Sequence, residues 1–223
     1  MTPYYQDDWV TIFLGDCREI LPTLPKVDLV LTAPPYGVSG IQNTRTAQSR
    51  GYRKNDYSQF QDSVEYVMDV VIPVVESLGD VRMIITPGNR CLTLYPPPAS
   101  FGAVHQPASV GLQPWGRADS QPILYYGKSP HGGKALPSQR CSFTQTGGAE
   151  KNGHPCPKPM KLWKQLVASG SVEGETILDP FMGSGTTLRA AKDLNRHAIG
   201  IEIEEKYAEI AANRMAQEVM DFR

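Results

Sequence analysis

The 223-residue chain has no pair of cysteines close enough to form a metal clip or a redox motif. Its four cysteines, Cys17, Cys91, Cys141 and Cys156, are scattered, and none forms a CxxC pair. A zinc ribbon or a thiol–disulfide centre is therefore not indicated, and free thiols in a cytoplasmic protein are the reading. No apolar run approaches the ~20 residues that span a bilayer. The N-terminal MTPYYQDDWV has no basic region followed by an apolar core, so no signal peptide is expected. Internal repeats are also absent.

Acid is scarce in the middle of the chain. Residues 82–164 hold ten Lys or Arg against two acids, Asp119 and Glu150, while the remainder holds 12 basic residues against 21 acidic ones. A smaller basic cluster, Arg45, Arg50, Arg53 and Lys54, lies upstream. The net charge of −1 hides this asymmetry. A solvated loop face would produce it, and so would a surface for a polyanion.

Short apolar runs bounded by Gly, Pro or Asp predict strands at Val10–Leu14, Val27–Thr32, Val81–Thr86, Ile123–Tyr126, Thr176–Asp179 and His197–Glu202. Helical spacing appears over 63–78, with a kink expected at Pro73, and over 158–169, 185–194 and 204–220. Alternating strands and helices predict an α/β fold with a doubly wound, mostly parallel sheet in a single domain spanning 1–223. Two stretches break the rhythm. Residues 38–60 are polar and aperiodic and read as a mobile loop. Residues 88–153 are long, basic and rich in Pro and Gly, as a functional insert would be. Within them, 95–102 and 128–138 read as turns and loops.

The segment ETILDPFMGSGTTLRAA (175–191) runs from a strand through a glycine turn into a helix. Gly183 and Gly185 let the backbone turn sharply and approach a ligand. The next strand ends in Glu202, 17 residues after Gly185, where a ribose would be gripped. A phosphate loop would need Lys followed by Ser or Thr after the last glycine, and here Thr186-Thr187 follow. A dinucleotide site would want a third glycine. A turn with no ligand is a further alternative. A nucleoside without phosphates, such as S-adenosylmethionine, fits best. This unit lies near the end of the chain, so the other strands come from upstream and the order of the halves is permuted.

The stretch LVLTAPPYG (29–37) is a strand stopped abruptly by Pro34-Pro35, with Tyr36 directly after. With GDC (15–17), HPCPKPMKLW (154–163), DPFMGSGTT (179–187) and GIEIEEKY (200–207), it resembles the amino-group DNA methyltransferases. These make N6-methyladenine or N4-methylcytosine. The resemblance is to the subgroup whose catalytic motif precedes its cofactor motif, and it covers most of the chain. It implies a Rossmann-like fold, S-adenosyl-L-methionine as cofactor and double-stranded DNA as partner, with no membrane and with a homodimer left open.

By that resemblance, Ala33, Pro34, Pro35 and Tyr36 form the catalytic motif. Asp16, with Cys17 beside it, faces the cofactor's adenine. His154, Lys158, Asp179, Gly183, Ser184, Gly185, Thr186 and Thr187 border its methionine end, Phe181 is a further cofactor contact, and Glu202 takes the ribose hydroxyls. Asp16 could equally serve a turn at a strand end, and His154 and Lys158 a helix entry. Arg45, Arg50, Arg53, Lys54, Arg117, Lys134 and Arg140 are the expected DNA contacts. The region 88–153 occupies the place of the family's target-recognition segment.

The amine of adenine or cytosine is a poor nucleophile, because its lone pair is delocalised into the ring. The family accepts both N–H groups, one on a main-chain carbonyl (here Pro34) and one on the side chain before the first proline, while the flipped base stacks on the tyrosine. Here that side chain is Ala33, which accepts nothing. The expectation is a site-specific DNA amino-methyltransferase or, as the alternative, a slowed or inactive homologue that still binds DNA and cofactor. Adenine and cytosine are not distinguished.

Overall fold

A computed structural model describes residues 2–38, 62–105, 111–113, 116–132, 141–144 and 158–217. The chain opens with β1 (Tyr5–Gln6) and β2 (Val10–Leu14), followed by one turn of helix, α1 (Cys17–Ile20), which Asp16 caps. Then comes β3 (Leu29–Thr32), whose four residues are all buried. The helical stretch expected over 63–78 forms in three pieces. α2 (Val64–Tyr66) and α3 (Ile72–Ser77) flank a π-helical turn at Val67–Val71. Pro73 brings no N–H to the helix, and the widened turn lies immediately before it, beside the position of the expected kink.

β4 (Arg82–Ile85) is followed by β5 (Ser100–His105), β6 (Gly111–Gln113), β7 (Gly116–Ala118), β8 (Ser120–Tyr126) and β9 (Phe143–Thr144). The last third holds α4 (Met160–Gly170), β10 (Thr176–Asp179), α5 (Thr186–Lys192), β11 (His197–Glu202) and α6 (Glu205–Ala216).

Nine strands form one sheet in the order β1-β2-β11-β10-β3-β4-β8-β5-β9. The run from β2 to β4 is parallel, with Leu178 opposite Val30 and Thr32 opposite Ile85. β8 then pairs antiparallel with both β4 and β5. Three strands of the long insert therefore extend the main sheet, while β6 and β7 form a separate ribbon. Ser100–His105 corrects the turn expected over 95–102. Its glycine marks a close backbone approach, since a Cβ on Gly102 would overlap the Cys141 carbonyl.

The sheet is buried on both faces. One face carries α4, α5 and α6, with Leu162, Trp163, Leu166, Leu188 and Ala211 in its core. The other carries α1 and the α2–α3 stretch, with Val67, Val71, Val74 and Val75. Among the described residues, no helix is long and apolar enough to cross a membrane.

Candidate active site

β3 and β10 are parallel neighbours, yet the chain leaves them toward opposite faces of the sheet. After β10 it enters α5 on one face, and after β3 it reaches α2 and α3 on the other. A crevice opens beyond the carboxyl ends of two such strands, and open α/β sheets bind ligands there. A cavity of about 220 Å³ lies at this place, lined by Ala33 to Tyr36, Asp179 to Ser184, Asp16, Lys158 and Glu202 among others.

Asp179 ties the crevice together. Its Oδ1 accepts from Thr32 Oγ1 at 2.7 Å and from the Phe181 N–H at 3.1 Å. Its Oδ2 accepts from Thr187 Oγ1 at 2.6 Å. Thr187 in turn accepts from Trp163 Nε1 at 3.0 Å. One carboxylate thus links the strand ahead of Pro34-Pro35 to the glycine turn and, through α5, to α4. Burial pushes Asp179 up to about 6, against the pull of these hydrogen bonds and of the Lys158 charge.

Glu202, at the end of β11, holds the turn from the other side. Its Oε2 accepts from the Gly183 N–H and its Oε1 from the Glu204 N–H, both at 2.9 Å. Burial raises it to about 7, although these N–H groups favour the charge. Gly185 begins α5 at φ +74°, a left-handed conformation that suits glycine. A Cβ there would also press on Ala211. Gly185 lies outside the cavity lining and shapes the turn, whereas Gly183, Ser184, Thr186 and Thr187 line the cavity.

Asp16 caps α1 through the Arg18 N–H at 2.9 Å, and its carboxylate pairs with the Arg18 guanidinium. That pairing holds it below the usual carboxylate range. It lines the cavity all the same, so serving the turn does not remove it from the crevice. Burial pushes the Cys17 thiol up to about 11, which keeps it protonated and unreactive.

Tyr36 is gripped on several sides. Its hydroxyl accepts from Gln121 Nε2 of β8 at 2.7 Å. Lys158 Nζ stands 4.3 Å above its ring centroid, a cation–π distance. Its carbonyl accepts from the Cys91 thiol at 3.4 Å. Gly88 lies so near that a Cβ there would be 2.6 Å from the Tyr36 Cβ. The next residue, Gly37, donates its N–H to Asp62 Oδ1 at 2.5 Å.

The cavity therefore brings together Ala33, Pro34, Pro35, Tyr36, Asp16, Cys17, Lys158, Asp179, Phe181, Gly183, Ser184, Thr186, Thr187 and Glu202. His154, Arg45, Arg50, Arg53, Lys54, Lys134 and Arg140 lie outside the described residues, and of Arg117 only the backbone, in β7, is described. Asp62, Tyr66, Trp163 and Gln121 were not singled out from the sequence. Trp163 ends the HPCPKPMKLW stretch, so proximity to a motif was a usable signal for it, whereas Asp62, just ahead of α2, and Tyr66, its last residue, adjoin no motif. Gln121 carried none, since its position depends on β8 pairing with β4.

An open sheet with a glycine turn and acidic strand ends around one crevice defines the Rossmann-like methyltransferase class. A family model for DNA methylases of the N6/N4 type matches residues 116–213. The Type II methyltransferase M.ScaI of Streptomyces caespitosus is 27% identical, over 97% of this chain and 84% of its own. M.HpaI of Haemophilus parainfluenzae is 38% identical over 45% of this chain, a match that spans a third of that relative. Among solved structures, TTHA0409 of Thermus thermophilus in complex with S-adenosyl-L-methionine superposes with a TM-score of 0.61 at 26% identity, over 95% of both chains. The cytosine-N4-specific PvuII DNA methyltransferase shares the fold, with a TM-score of 0.69 at 16% identity over 98% of this chain and 90% of its own. The chain is thus similar to the N6/N4 DNA methylases over residues 116–213 and to a Type II methyltransferase over nearly its whole length.

Proposed function

We propose that the protein transfers a methyl group from S-adenosyl-L-methionine to the exocyclic amine of adenine or cytosine in double-stranded DNA. The observation that carries this reading is the 2.7 Å bond from Thr32 to Asp179, which fixes the Pro-Pro-Tyr turn against the glycine turn across one cavity. Two ligands seated at these two turns would meet.

The residues present suit the cofactor. Glu202 offers carboxylate oxygens at a strand end, where a ribose diol is held in such folds. Asp16 and Phe181 line the same cavity for an adenine, and the Gly183–Thr187 turn together with Asp179 and Lys158 borders the methionine end. The cofactor supplies a methyl group already activated by a sulfonium, so the protein needs no covalent nucleophile.

On the DNA side, the Pro34 carbonyl accepts one N–H of the target amine, and proline rigidity fixes its direction. Tyr36, held by Gln121, offers a ring on which a flipped base stacks. The basic stretch 88–153 with Arg117, Lys134 and Arg140, and the cluster Arg45, Arg50, Arg53 and Lys54, hold phosphates, and 88–153 serves target recognition. A cytoplasmic location accompanies this substrate. Ala33 favours a second reading, a homologue that binds cofactor and DNA but transfers slowly.

Calorimetric titration with S-adenosylmethionine, followed by gel shift on mixed-sequence duplex DNA, tests both ligands. Binding of each supports the reading. A protein that ignores the cofactor contradicts it.

A further inference from the structure

We propose that Asp62 supplies the hydrogen-bond acceptor that Ala33 lacks. The inference rests on the methyl-transfer reading above and names the missing half of its chemistry.

Five carboxylates line the cavity: Asp16, Asp62, Asp179, Glu202 and Glu204. Asp16 gives both oxygens to Arg18. Asp179 gives one to Thr32 and Phe181 and the other to Thr187. Glu202 gives one each to the Gly183 and Glu204 N–H groups. Glu204 is the N-cap of α6, two residues beyond the strand end that suits a ribose.

Asp62 differs in place and in bonding. It meets the catalytic turn itself, where Oδ1 accepts from the Gly37 N–H at 2.5 Å and from the Val38 N–H at 3.4 Å. Both of these bonds fall on one oxygen, so Oδ2 takes no part in holding the turn, and the residue lines the cavity. The carboxylate is thus anchored by the residue directly after Tyr36. The family's acceptor stands at the other end of the same four-residue turn, at the position of Ala33.

The chemistry requires an acceptor there but does not require it to come from position 33. The target nitrogen uses its lone pair to form the N–CH3 bond. The bond from that carbon to the donor's sulfur breaks, with its electron pair left on sulfur. The nitrogen, now positively charged, releases a proton, which passes through Asp62 to water. An anionic oxygen facing the amine draws it toward the tetrahedral form and stabilises this growing charge.

Asp62→Asn separates the acceptor role from the anchoring role. An asparagine keeps a carbonyl for the Gly37 N–H and puts an NH2 where Oδ2 stood. Single-turnover methyl transfer to mixed-sequence duplex DNA is measured for the wild type, Asp62→Asn, Ala33→Asp and the double variant, with cofactor affinity read by calorimetry. The expected result is a loss of about 10²–10³-fold for Asp62→Asn, with cofactor affinity unchanged and with recovery of most of the rate when Ala33→Asp is added. Three results would overturn the proposal: an Asp62→Asn rate within twofold of wild type, a loss that Ala33→Asp does not rescue, or a wild type that is inactive until Ala33→Asp is introduced. In the third case the methyl-transfer scaffold stands and only the Asp62 role fails. If all four proteins are inactive, the functional reading fails with it.

Discussion

Thr32 and Asp179, 147 positions apart in the sequence, share a 2.7 Å hydrogen bond between fully buried side chains at the crevice. Thr32 is the residue before the Ala-Pro-Pro-Tyr turn, and Asp179 opens the glycine turn. Replacing Thr32 by Val keeps the shape and removes the donor, so a buried carboxylate loses one of its partners. The expected cost is about 1–3 kcal/mol, read by denaturant unfolding. Transfer is expected to fall further than stability alone explains, because the two turns are no longer tied.

Asp179 and Glu202 make stability depend on pH in an unusual direction. In the unfolded chain these groups ionise near pH 4, but in the folded protein only near pH 6 and 7. Between those limits the folded state binds more protons than the unfolded state. Stability of the ligand-free protein is therefore expected to fall as pH rises from about 4 to about 7. Melting temperature across this range tests it, and Glu202→Gln should flatten the slope. Cofactor affinity should move the opposite way and weaken below about pH 7, because the ionised Glu202 is the better acceptor for hydroxyl groups.

Gln121 couples β8 to the Pro-Pro-Tyr turn through the Tyr36 hydroxyl. Gln121→Leu should leave cofactor affinity intact and lower transfer several-fold by loosening the stacking ring. Fluorescence of 2-aminopurine in place of the target base reports the stacking directly and should differ between this variant and the wild type. A merely structural glutamine would lower stability and leave that signal alone.

Gly88→Ala should act on the same turn by crowding. The new Cβ would lie 2.6 Å from the Tyr36 Cβ and 2.7 Å from its carbonyl oxygen. Overpacking of this kind costs about 1–3 kcal/mol, and here the displaced atoms are backbone. Calorimetric melting should show the loss, with methyl transfer abolished while cofactor binding persists.

The parallel half of the sheet was legible because its strands are short apolar runs closed by Gly, Pro or Asp, and its five expected strands are present within a few residues. The glycine turn, Asp179 and Glu202 were legible because a strand end followed by a tight turn has a sequence signature. Of the antiparallel half, only β8 was legible, as Ile123–Tyr126. Ser100–His105 contains a glycine and follows three prolines, and its pairing with β8 depends on contacts remote in sequence. The same remoteness hid Gln121. Asp62 was passed over because a single acid at the edge of a polar loop resembles a helix-start residue, and only its bond to Gly37 distinguishes it.

The most direct measurement is incubation of the purified protein with methyl-labelled S-adenosylmethionine and mixed-sequence duplex DNA, followed by digestion and nucleoside analysis. The account predicts label in N6-methyladenine or N4-methylcytosine, which also names the target base. Label at a ring carbon, or in protein with none in DNA, would contradict it.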